Sequence, residues 1–323
     1  MKQITGAGWL KDVNDNFAEM DPRPATTYFV DTVNGSNSNN GQSFESAFAT
    51  MTKALATVET GGKIWLFGKV AEECIGSNLV FDVTIEGVGS LHHADVPAVG
   101  YHPGASVWVS PGTPAGPLLT IRGRGWKIKN ILFDCPTAYA GIRLSRNSGD
   151  GLTEYDASHA SIIGCDFRSG LYGIEDYDGC FNVTVRDCVF ETLDATATAA
   201  AIKANSGGGP ASPRRWRILN NFFQPDSSTE GNSTHIVIGL VGSLIQGNVF
   251  GLLKSTGKYI DISNGGVGTP GSYNVICNNV LGGAYDTDDY VSGTGDLWYQ
   301  NAVAVKAVTA PDGLTLAVPG APG

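Results

Sequence analysis

The densest acidic group in the chain is Asp150, Glu154, Asp156, Glu175, Asp176, Asp178, Glu191 and Asp194. Two carboxylates on one face can cleave a glycosidic bond, one as acid and the other as nucleophile or base. That chemistry needs a separation of about 5–5.5 Å for retention of configuration, or about 6.5–9.5 Å for inversion. Glu175, Asp176 and Asp178 are the candidate catalytic residues. Neighbours on a strand point to opposite faces, so Glu175 and Asp176 cannot both serve one site. Elimination from an acidic polysaccharide would instead use an Arg or Lys base, and Lys203, Arg214 and Arg215 follow the acids in sequence. Tyr155, Tyr172 and Tyr177 sit among the carboxylates and are candidate glycan-binding residues, as amphipathic rings suit sugars. Tyr285 and Tyr290 share that character, and all five rings equally suit a protein interface. A solvated acidic edge explains the same carboxylates without any chemistry.

Other chemistry is thin. His92-His93-Ala94-Asp95 has metal-ligating residue types, but adjacent histidines diverge and a third ligand would have to come from elsewhere. His159 and His235 read as structural. The six cysteines contain no CxxC pair, so a zinc site is not expected. Cys165 and Cys188 should occupy adjacent rungs as buried thiols, because in-register neighbours on parallel strands rarely have the torsions of a disulfide. Neither a metal nor a cofactor is expected.

The elements that would carry these residues form a repeat. Ile128–Phe133, Ile162–Phe167, Val185–Phe190, Ile218–Phe223, Ile245–Phe250 and Ile276–Leu281 each run from an aliphatic residue to a bulky one. Their ends are spaced by 34, 23, 33, 27 and 31 residues. Regular chemistry at irregular spacing fits a β-solenoid, whose loops leave the coil at any length. Two residues before each end stand Ile131, Cys165, Cys188, Asn221, Asn248 and Asn279, and three before stand Asn130, Gly164, Asp187, Asn220, Gly247 and Asn278. Asn in such a turn column tolerates left-handed backbone and can hydrogen-bond its equivalents above and below. A second column of apolar runs follows, at Gly141–Leu144, Gly173-Ile174, Ala201–Ala204, His235–Ile238 and Tyr259–Ile262, so each coil carries at least two strands. The expected fold is all-β: a parallel β-helix with a short N-terminal helix and a capping helix.

These repeats resemble those of right-handed, single-stranded parallel β-helix proteins of the pectate-lyase and tailspike type, over roughly residues 26 to 285. Tyr28–Ser36, Asn40-Gly41 and Phe48–Thr50 resemble the leading module of bacteriophage members. Val13-Asn14-Asp15-Asn16-Phe17-Ala18-Glu19 resembles segments of phage structural proteins. The resemblance implies a virion protein, capsid-decorating or tailspike-like and homotrimeric, with host glycans as a candidate contact. The same family implies an alternative, a depolymerase acting on host surface polysaccharide. Members often carry Asp where this chain has Asn37 and Asn39, which speaks against a calcium loop.

Composition bounds the partners. A net charge of −10 with no basic run excludes nucleic acid as the expected ligand. It also disfavours strongly anionic polysaccharides, unless a local Arg or Lys cluster offsets the field. No run of about 18 apolar residues or signal-peptide core is present, so synthesis in a cytoplasm, without membrane, is expected; that this is a host cytoplasm and the destination a virion is what the resemblance implies.

Residues 1–24 read as an anchoring segment: Trp9, Leu10, Val13, Phe17 and Met20 share one helical face that could dock on a virion or fold back on the solenoid. Residues 25–62 form the leading module and a cap helix from Thr50 to Val58, residues 63–285 the solenoid, and residues 286–323 a C-terminal cap in which Leu314–Val318 could close the stack.

Overall fold

A computed structural model describes residues 26–88, 106–145, 156–191, 199–204, 212–223, 234–251, 258–262, 271–282 and 290–303. Trp9, Leu10, Val13, Phe17, Met20, Tyr155, Tyr285, the His92–Asp95 cluster and Leu314–Val318 lie outside them.

The chain winds through three parallel sheets in turn. Lys127–Lys129 enters sheet A, Leu132–Asp134 sheet B and Ala140–Leu144 sheet C. The next coil repeats the order with Ser161–Ile163, Asp166–Arg168 and Tyr172–Asp176. Among the described residues sheets A, B and C hold 10, 9 and 8 strands. The fold is a right-handed, single-stranded parallel β-helix. Each six-residue unit of the sequence repeat is two short strands with a sharp bend between them, so a coil has three strands rather than the minimum of two.

The bend divides its two jobs between neighbouring residues. Asn130, Gly164, Asp187, Asn220, Gly247 and Asn278 take positive φ between 53° and 69°, the left-handed region open to Gly and tolerated by Asn and Asp. The next residue points inward and makes the ladder. Asn248 Oδ1 accepts from Asn221 N and Nδ2 (2.9 and 3.0 Å), and Asn279 Oδ1 accepts from Asn248 N and Nδ2 (both 2.9 Å). Asn301 extends the file by accepting from Asn279 N and Nδ2 at 3.0 Å. Each Nδ2 also donates to a strand carbonyl, as Asn248 does to Ile218 at 2.9 Å. Cys165 and Cys188 occupy the same file as buried free thiols.

The core is a set of such files. Phe133, Phe167, Phe190, Phe223 and Phe250 stack with centroids 5.2, 5.0, 4.9 and 4.6 Å apart and planes within 10°. Trp108 heads the file, 5.8 Å from Phe133. Ile142, Ile174, Ile202, Ile236 and Ile260 form the corresponding file on sheet C. His235 packs against Phe223, 5.3 Å between centroids, and is buried.

The first coil is closed by the helix Met51–Thr57, whose N-cap Thr50 accepts from Lys53 N. Met51, Ala54 and Leu55 pack into the core. Asn37 and Asn39 are used inside the leading loop: Asn37 Oδ1 accepts from Ala49 N at 3.1 Å, and Asn39 Nδ2 donates to Ala47 O at 3.0 Å. At the far end the stack continues past residue 285, through Leu297–Tyr299 on sheet A and Ala302–Val303 on sheet B. Trp298 takes the inward position that Ile276 holds one coil earlier, which is why this coil was not legible from aliphatic spacing.

Candidate functional site

On sheet C the residues between the inward isoleucines face out, and register stacks Arg143, Glu175 and Lys203 on successive coils. Arg143 Nε lies 2.6 Å from Glu175 Oε2, and Glu175 is only 1% exposed. Lys203 stands directly above it. Burial lowers the Lys203 pKa, outweighing the pull of Glu175. The candidate tyrosines brace these cations: the Arg143 guanidinium is 4.6 Å from the Tyr177 ring centre, and Lys203 Nζ is 5.1 Å from that of Tyr172. Tyr172 is buried between Ala140 and Ala200.

Asp176 turns the other way, into the coil, as alternation requires. Its Oδ1 accepts from Cys180 N at 3.0 Å, while Oδ2 is buried without a hydrogen-bond partner. Burial, with a smaller push from Asp178, raises its carboxyl to about 7. Asp178, in the turn beyond, accepts from Ser145 Oγ at 2.9 Å. Glu175, Asp176 and Asp178 therefore point in three directions.

A different acidic group assembles on the outer face of sheet B. Arg168 bridges Asp166 Oδ2 (Nη2, 3.0 Å) and Glu191 Oε2 (Nε, 2.9 Å), with Asp134 in register on the coil below. Burial, then the Glu191 charge, raises Asp166 to about 6, and its Oδ1 is buried without a hydrogen-bond partner. A carboxyl whose pKa is raised to about 6 beside a second acidic side chain is the kind of split an acid–base pair uses. Glu191 was visible in the acidic run. Asp166 was not, because its significance comes from register with the next coil; the available signal was an Asp-x-Arg strand one coil before Val-Phe-Glu.

Lys258 Nζ pairs with Asp261 at 2.9 Å, and Arg124 lies 3.6 Å from Asp156. His159, at φ 64°, is exposed in the turn before sheet A. Among the described residues no group of three or more His, Cys, Asp or Glu side chains is placed to hold a metal ion, and no helix is long and apolar enough to cross a membrane.

The three sheets and stacked files define the class: a right-handed parallel β-helix. No protein-family model matches the chain, and no curated protein matches it in sequence. Solved structures do match in fold. A GH136 lacto-N-biosidase from Eubacterium ramulus superposes with a TM-score of 0.50 at 10% identity, over 91% of this chain and 58% of that one. This chain thus spans well under two thirds of that protein's length. A pectin methylesterase from Aspergillus niger gives 0.41 at 10% identity, over 89% of each chain. ORF18 of Geobacillus virus E2 gives 0.41 at 11%, over 97% of this chain and 67% of that one.

Proposed function

We propose that this chain is a structural surface protein of the bacteriophage-virion type, a homotrimeric β-helix that contacts host glycans rather than cutting them. The observation that carries the reading is an apolar file on the outer face of sheet B. Phe222, Val249 and Val280 stack in register and are 40%, 37% and 39% exposed. Among the described residues the solenoid interior is already filled, so these side chains gain from a further apolar surface, and a parallel copy presents the same file. The sheet C acids support a non-catalytic role, since Glu175 is ion-paired and Asp176 faces the core.

Light scattering should give three times the 33.8 kDa chain mass, and Phe222→Ser with Val249→Ser should shift it to one. A monomeric wild type would refute the assembly. Deleting residues 1–22 should leave the solenoid folded but abolish particle association.

The second reading, a depolymerase, rests on Asp166 and Glu191. It requires new reducing ends, or the unsaturated ends of elimination, when host capsular polysaccharide is the substrate. It also requires loss of that activity in Asp166→Asn and Glu191→Gln.

A further inference from the structure

Sheet A carries a feature that neither the acids nor the apolar file uses. His159, Asn182 and Arg215 occupy equivalent left-handed positions in the turn before sheet A, on three successive coils. They meet Thr184, Arg217 and Leu244, which are stacked in register on the outer face of the sheet. Together they line an open groove of about 540 Å³. Successive coils are about 4.8 Å apart, so the polar column spans roughly 10 Å along the axis.

The charge of this groove runs against the charge of the molecule. Two other sheet A cations are matched: Lys63 pairs with Glu86 at 2.8 Å, and Arg186 with Asp187 at 3.1 Å. Arg215 and Arg217 are exposed and make no ion pair with any described residue. Lys127 extends the same outward row toward the N-terminal end, likewise exposed and without an ion pair. In a chain of net charge −10 this is a local field of opposite sign, the condition under which an anionic saccharide can approach.

We propose that the sheet A groove binds an acidic sugar residue of a surface polysaccharide. The carboxylate, sulfate or phosphate lies between the guanidiniums of Arg215 and Arg217, whose planar donors match such groups. Asn182, Thr184 and His159 supply hydrogen-bonding groups for sugar hydroxyls, and Leu244 an apolar wall. A polynucleotide fits poorly, because among the described lining residues the aromatic one, Trp216, is fully buried and offers no face to stack a base. The assignment gives the glycan-contact reading a ligand class and a place separate from the sheet C face.

The test uses the intact chain and a panel of uronate-, sialate-, sulfate- and phosphate-bearing oligosaccharides, with neutral malto-oligosaccharide, polyglutamate and single-stranded DNA as controls, read by calorimetry. At least one acidic oligosaccharide should bind, more weakly as salt rises. Arg215→Asn with Arg217→Thr should weaken that binding at least about tenfold, as expected for a lost charge-assisted hydrogen bond, with the melting temperature unchanged. Asn is chosen at position 215 because it tolerates the φ of 56° there. Arg143→Met should leave binding intact, which separates this groove from the sheet C face. Loss of trimer without loss of binding would fault the assembly reading alone. Unchanged affinity in the double variant, no binding across the acidic panel, or equal binding of polyglutamate or DNA would overturn the assignment.

Discussion

Two carboxylates one residue apart have opposite fates. Glu175 faces outward into Arg143 and Lys203, whereas Asp176 faces the interior with one oxygen unpartnered. The folded chain holds the Asp176 proton up to about pH 7, while the unfolded chain releases it near 3.8. Its contribution to stability is therefore fully present below the unfolded value and is lost as pH rises through the folded one. Asp176→Asn should gain in melting temperature relative to wild type between about pH 5 and about pH 8; an equal difference at both would contradict the burial. Arg143→Met removes the ion pair of the buried Glu175. It should cost toward the low end of about 3–5 kcal/mol, with much of the loss recovered in Arg143→Met/Glu175→Met, measured by denaturant unfolding.

At the scale of elements, stability comes from files rather than single strands. A short strand gains little alone, but its Asn or Phe is shared with the coils on either side. Asn248→Leu would strand the donors of Asn221 and remove the donor to Ile218 O. With about 1–3 kcal/mol for each buried unsatisfied group, the expected loss is about 3 kcal/mol or more. Phe223→Ala opens a hole between Phe190 and Phe250 and should cost about 3–5 kcal/mol. A loss below about 1 kcal/mol in either variant would mean that the coils tolerate gaps and the ladder is ornamental.

At the scale of the whole molecule, the eight complete coils among the described residues give one continuous core with three outer faces of different character. Sheet C bears an Arg–Glu–Lys row, sheet B an apolar file beside the Asp166 cluster, and sheet A a basic groove. All six thiols lie inside. Burial raises Cys74 to about 12 and pushes Cys135, Cys180 and Cys188 further up. The native chain should therefore resist a thiol reagent and expose all six groups together on unfolding. Fast labelling of Cys165 or Cys188 alone would show that the stack opens locally.

The repeat was legible in the order of residues because a solenoid writes its core locally: aliphatic, left-handed turn residue, small or amide residue, bulky ring. That local chemistry determined the fold, the Asn file, the Phe file and the Thr50 cap. The three faces were not legible. Their character depends on which residues register brings together from coils 23 to 34 residues apart, and variable loops hide that register in the sequence. Lys203 came to rest on Glu175, and Asp166 came to lie one coil below Glu191, only when the loops closed. Arg215 and Arg217, distant in sequence from His159, joined it in one groove for the same reason: stacking every 4.8 Å converts remote positions into neighbours.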